Sequence, residues 1–341
     1  MNNKNETSEK QPIDAVIYWV DGSDPEMTRK RNYYLNLTQN VNVRATQPTF
    51  YASHNEIKYC VLSILKFAPF IRNIFIVTDE QDPGIHNDIE ANFPGRSNSV
   101  IIVDHKEIFR GYEKYLPVFN STSILSMVWR IKNLSDQFVC FNDDFFLIRE
   151  VKPEDWFVDG RPVLRGYWRI PPYKKMMGNF FKVLINKHLR GKPDYQPKLS
   201  FYLRQRNAAL MLGLKFRYFF HCHTPHPLSR KVAEKYFSEN NELLEKNISS
   251  RFRSPDQFLL TSLACHLEIL EGNRNIEKLN YGYLHPIYSK RRIDKKIKRC
   301  MNDKNIKSVC AQSLDMFEKE ERERILSWMD DILGMMNKND R

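Results

Sequence analysis

The chain has 341 residues, 42% of them hydrophobic and 13% aromatic, which excludes a disordered or fibrous polymer and supplies side chains for a sizeable core. The first eleven residues, MNNKNETSEKQ, are polar, no run approaches ~20 consecutive apolar residues, and the six cysteines form no CxxC pair; the expectation is a cytoplasmic protein with reduced thiols, no secretory signal and no membrane span. The net charge of +12 is uneven: of 53 Lys and Arg and 41 Asp and Glu, fifteen basic and one acidic residue lie between Arg161 and Arg230, so that segment carries +14 and the rest −2.

Residues 1–12 read as a disordered tail, and 13–341 as a single catalytic domain. Its parts are an α/β half (13–160), a basic, partly helical segment (161–230) and a helical C-terminal part (231–341). Ile13–Val20 is a short β-branched and aromatic run that ends on Asp21, as expected of a strand buried on both faces. Ser23 or Asp24 then caps a helix with Pro25 at its first position, running to about Leu37. Asn55 caps a second helix, Glu56–Phe67, which stops before Pro69. The runs Asn73–Thr78 and Ser99–Val103 are strands ending on Asp79 and Asp104. A third helix is expected from Ser121 or Ser123 to about Leu134. The strand Phe138–Asn142 follows and ends on Asp143 and Asp144.

This alternation predicts a doubly wound, Rossmann-like α/β fold with a largely parallel sheet and a basic helical insertion. Ligands of such sheets bind beyond the carboxyl ends of the strands, where these acidic residues would gather; a row of carboxylates calls for a cation. For Asp79 and Asp104 the competing reading is an ordinary strand-end cap.

In the basic segment, Met176, Met177, Phe180, Phe181, Leu184, Ile185 and Leu189 recur at helical spacing within Lys174–Lys192, while Lys182, Lys187 and Arg190 lie elsewhere on the wheel. Docking of this stripe on its own domain is the preferred expectation; the alternative is a helix lying in an anionic membrane interface. An excess of this size also attracts phosphates and anionic polymers.

His221, His223 and His226 follow the aromatic run Phe216–Phe220. No second ligand cluster favours zinc, so His223 is read as a phosphate-binding or proton-transferring residue. In Arg251-Phe252-Arg253-Ser254-Pro255-Asp256, Ser254 and Pro255 suggest a helix start that adds anion affinity to the guanidinium groups. No Gly-rich phosphate loop is present. Leu314–Met336 reads as an amphipathic helix that packs on the core.

In this order the pieces resemble the Stealth family of sugar-phosphate transferases. The similarity is carried by IDAVIYWVDGSDP at 13–25, by NEIKYCVLSILKFAPFIRNIFIVTDEQDP at 55–83, and by VDHKEIF at 103–109. It continues in LPVFNSTSI at 116–124, FVCFNDDFFL at 138–147, HTP at 223–225 and RFRSPD at 251–256. Two positions depart from the pattern. Ala311-Gln312-Ser313 follows Ser308–Cys310 where the family ends on Asn-Asp, and Leu62 stands where an Arg is expected.

The resemblance implies transfer of a sugar-1-phosphate from a nucleotide sugar to a glycan hydroxyl in a capsular or exopolysaccharide. Asp143 and Asp144, with Asp21 as a third, would hold Mg2+ or Mn2+. Arg253 and His223 would hold the diphosphate, His223 also serving as general acid or base. Glu56, counted among the catalytic residues, and Asn120 would fix sugar hydroxyls or the active-site geometry, Asn142 and Arg251 would bind the substrate, and Asp24 would bind substrate or serve as an alternative base. The expected partners are the nucleotide sugar, a glycan acceptor that is lipid-linked, and an anionic membrane at its inner face; a nucleic acid is not among them. The alternatives are a metal-dependent glycosyltransferase that moves the sugar alone, and a non-catalytic module for anionic polymers or membranes.

Overall fold

The computed structural model describes residues 11–38, 41–191, 195 and 200–335. Residues 1–10 of the expected tail, and Lys192 and Met336 at the ends of two expected helices, lie outside them. The four apolar runs form strands β1 (Ile13–Tyr18), β2 (Ile71–Thr78), β3 (Val100–Asp104) and β4 (Gln137–Asn142). Further strands are β5 (Phe145–Leu147), β6 (His226–Ser229), β7 (Gly282–Leu284) and β8 (Ser308–Ala311). The central sheet has the order β6-β4-β1-β2-β3; all its pairs are parallel except β6 with β4. Between strands run α1 (Pro25–Leu37) and α2 (Glu56–Phe67). The architecture is the expected α/β arrangement around a mainly parallel sheet.

Successive residues of β1 serve opposite faces. Ala15 and Ile17 pack with Ile57, Val61 and Ile64 of α2, while Val16 joins Leu125, Val128 and Leu263 on the other side. Burial on both faces explains the lack of polar alternation. The exception is Asp14, fully buried at the amino end of β1. It accepts two hydrogen bonds from Arg72 (2.6 and 3.0 Å) and one each from the backbone N–H groups of Asn73 (3.1 Å) and Ser135 (2.7 Å). A buried carboxylate is tolerated when every oxygen is matched in this way, and this one ties together the starts of β1, β2 and β4.

Three local expectations change. The helix predicted from Ser121 ends at Leu125, where the Ser126 hydroxyl bonds back to the Thr122 carbonyl and the chain passes into a short 3-10 turn, Val128–Arg130. No helix starts at Pro255: residues 254–257 form a turn, and the next helix is Leu260–Leu270. The basic stripe forms α3 (Tyr173–Leu184), continued by a π turn to Leu189, but its apolar side is not docked on the domain. Met177, Phe180, Phe181 and Leu189 are 54 to 80% exposed. Before the fold returns to the sheet comes α4 (Phe201–Met211). The C-terminal helix is shorter than expected, Lys319–Leu333, and packs on the core through Ile325 and Met329.

A second sheet, β7-β8-β5, stands beside the carboxyl end of β4. Gly282 lets β7 approach α5 (Lys290–Asn302): a Cβ there would lie 2.6 Å from Cys300 Sγ and 2.7 Å from Val309 Cγ2. This sheet places Tyr283 and Gln312 across from the end of the main sheet.

Candidate active site

A cleft of about 730 Å³ opens beyond the carboxyl ends of β1 and β4. Asp143 and Asp144 line it because β4 ends at Asn142 and the chain turns immediately into β5. Glu56 joins them from the first turn of α2, where its carboxylate accepts the His54 N–H. Burial, and then the neighbouring carboxylates, push Asp143 well above the usual carboxylate range. Burial pushes Asp144 up to about 6, against the relieving hydrogen bonds of Cys310 and Asn142. Burial raises Glu56 as well. Asp144 Oδ1 is buried without a hydrogen-bond partner among the described residues, while its Oδ2 receives Cys310 Sγ at 3.5 Å.

Asn142 is the registered partner of Tyr18 across β4 and β1, and the Tyr18 hydroxyl donates to its side-chain oxygen. Burial first, and then Cys140, Asp144 and Asp143, raise the Tyr18 phenol, so it stays protonated as a donor.

The cationic wall comes from the other side of the sheet. Arg253 donates to Ser121 Oγ (2.9 Å) and lies 4.1 Å over the Phe50 ring. Arg204 on α4 donates to Thr122 Oγ1, and burial followed by the field of Arg253 lowers it to about 9. Neither arginine has a carboxylate partner among the described residues. Asn120 caps the short helix through Thr122 N–H and donates to the Ser250 carbonyl (2.9 Å) and Gln257 Oε1 (2.8 Å). It lines the cleft and fixes the strut that carries Arg253, the geometric role expected of it.

His223 stacks between Phe201 (4.6 Å, 22°) and Tyr283 (5.6 Å, 18°). Desolvation first, then Arg204 and His285, lower its imidazole to about 4, so it is neutral at pH 7 and able to accept a proton. His221 is buried, with Nε2 3.2 Å from Thr261 Oγ1 and its backbone paired to Gln205. His226 packs edge-on against it at 4.2 Å.

Of the remaining sequence candidates, Asp79 lines the cleft and Asp21, Asp24, Asp104 and Arg251 stand outside it. Asp21 turns its carboxylate onto Ser23, accepting from N–H (2.8 Å) and Oγ (2.6 Å), and does not line the cleft. Asp24 is the cap of α1, accepting from Glu26 N–H (2.7 Å) and Met27 N–H (3.2 Å), so its carboxylate is committed. Arg251 donates to the carbonyls of Pro117 (2.8 Å) and Leu116 (3.1 Å), a structural clamp. Asp79 pairs with Lys30 (2.8 Å), and Asp104 caps the short helix after β3. The acidic row thus disperses into local bonds, leaving Asp143, Asp144 and Glu56. Arg204, Tyr18, Tyr283 and Gln312 were not singled out from the sequence; Arg204 was signalled only as one of fifteen basic residues.

Among the described residues no three His, Cys, Asp or Glu side chains are arranged to hold a metal ion. Two adjacent carboxylates and an orphaned oxygen still fit a hard cation that completes its shell with water and phosphate oxygens.

Residues 50–163 match the model for Stealth protein CR2, conserved region 2. The chain is 31% identical over 259 residues to the receptor polysaccharide phosphotransferase WefC of Streptococcus oralis, covering 71% of this chain and 74% of that protein. The chain belongs to the Stealth family of polysaccharide phosphotransferases. Another Stealth relative, the exopolysaccharide phosphotransferase cps2G of Lactiplantibacillus plantarum, is 29% identical over 88% of this chain and 90% of its own. The capsular polysaccharide phosphotransferase fcs1 of Haemophilus influenzae is 32% identical over 76% of this chain and 66% of its own. A solved structure of the galactosyltransferase LgtC superposes with a TM-score of 0.42 at 10% identity, over 95% of this Stealth chain and 98% of its own.

Proposed function

We propose that this phosphotransferase moves a sugar-1-phosphate from a nucleotide sugar to a glycan hydroxyl, making a phosphodiester and releasing a nucleoside monophosphate. The carrying observation is one cleft in which two carboxylates and a buried glutamate face two unpaired guanidinium groups and a neutral histidine. In-line displacement at phosphorus needs charge neutralised on the non-bridging oxygens, an activated hydroxyl and a stabilised leaving phosphate.

Arg253 and Arg204 hold the diphosphate oxygens, their desolvated charge being worth more here than in water. His223 accepts the proton of the acceptor hydroxyl as its oxygen bonds to the sugar-linked phosphorus; the bond between the two phosphates breaks, and the electron pair leaves on the nucleoside monophosphate. Asp143 and Asp144 would hold Mg2+ or Mn2+, which supplies charge neutralisation to the diphosphate when bound. Glu56 and Asn142 set the position of that pair.

The acceptor is read as a lipid-linked glycan at the inner face of the membrane. No described helix is long and apolar enough to cross a bilayer. Support for peripheral contact is the exposed apolar side of α3 beside Lys182, Lys187 and Arg190.

Incubation with a panel of nucleotide sugars and Mg2+, resolving the released nucleotide, tests the transfer. Monophosphate release is expected; diphosphate release would assign transfer of the sugar alone.

A further inference from the structure

Outside the cleft-lining groups, α5, Lys290–Asn302, is densely charged. It has seven basic residues, Lys290, Arg291, Arg292, Lys295, Lys296, Lys298 and Arg299, and one acidic residue, Asp294. Ile293 and Cys300 bury one side of it against β7 and β8, leaving the basic side outward. Arg292, Lys296 and Arg299 share a face at spacings of four and three. Asp294 is engaged by Arg324 (2.5 Å) and Lys290 by Glu320 (3.2 Å). Arg292 and Lys296 have no such partner among the described residues.

Both point at the same ring. Arg292 stands 4.3 Å and Lys296 4.7 Å from the centroid of Tyr288, which lines the cleft. Tyr288 meets Tyr283 edge-on at 6.3 Å, and Tyr283 stacks on His223 at 5.6 Å. A continuous aromatic row therefore leads from the proton-accepting histidine to a pair of unneutralised cations at the rim. Burial and the neighbouring Arg292 and Arg299 charges hold Lys296 below its usual range, consistent with cations crowded for want of an anion.

We infer that Tyr283, Tyr288, Arg292 and Lys296 form a binding track for the growing acceptor, a glycan already carrying phosphodiesters. The inference rests on the proposed transfer for the chemistry of that acceptor, since each round would add one anionic linkage to the chain. Aromatic faces suit the apolar C–H faces of sugar rings, and cations spaced along one helix face suit the phosphates between them.

The test uses a fluorescein-labelled, phosphodiester-linked hexose oligomer and an uncharged dextran of equal length, without nucleotide sugar. The oligomer should bind and the dextran should not. Arg292→Gln with Lys296→Gln should weaken oligomer binding about tenfold and flatten its salt dependence. Arg291→Gln with Lys298→Gln, which removes equal charge away from Tyr288, should weaken it far less. With a long phosphodiester acceptor, the first pair should raise the acceptor KM and leave kcat and donor KM in place. Equal losses in the two pairs would overturn the track, as would unchanged binding or full displacement of the oligomer by anionic vesicles. If oligomer binding depends on Arg292 and Lys296 while no nucleotide sugar is turned over, the transfer reading fails and the track stands.

Discussion

The Tyr18 hydroxyl donates to the side-chain oxygen of Asn142, its registered partner across the parallel strands β1 and β4. The bond orients the Asn142 amide, which in turn supports the Asp144 carboxylate from within the cleft. A residue of the first strand thereby bears on Asp144 at the end of the fourth.

Tyr18→Phe should accordingly lower kcat about five- to tenfold, as expected from losing one hydrogen bond worth ~1 kcal/mol in a buried network. Fluorescence titration of the nucleotide sugar should show donor affinity changed less than turnover. An unaltered kcat would remove Asn142 from the support of Asp144.

Asp143→Asn and Asp144→Asn should each reduce turnover ~10²-fold or more, because each removes a charge that the reading assigns to the cation site. The same substitutions should stabilise the metal-free protein at neutral pH. The folded-state pKa of Asp144 is raised to about 6 from an unfolded value near 3.8. Below the lower value both states are protonated and the group contributes nothing. As pH rises toward 6 the unfolded chain loses its proton first, so stability falls. Asp144→Asn should raise Tm by about 2–5 °C at pH 7.5 and leave it unchanged at pH 3.5, measured by calorimetry in EDTA. A lower Tm at pH 7.5 would mean that the carboxylate is a structural bond.

The strands and their acidic ends were legible because burial on both faces imposes uninterrupted apolar runs, as in Phe138–Asn142. What those acids do was legible only in part. Asp24 and Asp104 are caps, as their positions before helix starts allowed, but the ion pair of Asp79 with Lys30 carried no local signal, since any nearby N–H or ammonium competes for such a carboxylate. Arg253 was found from its motif, but the helix start expected beside it is a turn. Arg204 was hidden because 11-residue α4 carries no local signature, and its place in the same cleft as Asp143 depends on long-range packing. The exposed stripe of α3 shows the limit of periodicity, which gives the apolar face of a helix and not what covers it.

His223→Ala and Arg253→Ala should each cripple turnover, whereas His226→Ala should be milder. Both line the cleft, but His223 stacks beside Tyr283 whereas His226 packs against His221 on an edge strand paired with Cys140. Since desolvation holds His223 near 4, it is neutral and able to accept a proton across pH 5–8, and the acidic limb of kcat/KM that it controls should lie below pH 5. Steady-state rates over pH 4–9 read this directly. Equal damage from His226→Ala would transfer the role to that residue.

The last expectation concerns α3, where Met177, Phe180, Phe181 and Leu189 face solvent beside Lys182, Lys187 and Arg190. A solvated face of this composition is costly in water and suited to a headgroup boundary, with aromatic side chains entering and cations meeting anionic lipid. Each basic group near an anionic bilayer contributes ~1 kcal/mol, so replacing Lys182, Lys187 and Arg190 by Gln should weaken vesicle association by about two orders of magnitude. Phe180→Ser with Phe181→Ser should weaken it at high salt as well, because buried apolar area is not screened. Both variants should retain turnover of a short soluble acceptor, since none of these five residues lines the cleft. Co-sedimentation with anionic and neutral vesicles, at low and high salt, measures each effect. Wild-type protein that ignores anionic vesicles at low salt would sink the membrane reading. The charge of residues 161–230 would then act on soluble anions alone, and turnover should fall with rising salt as the long-range attraction of the nucleotide sugar is screened.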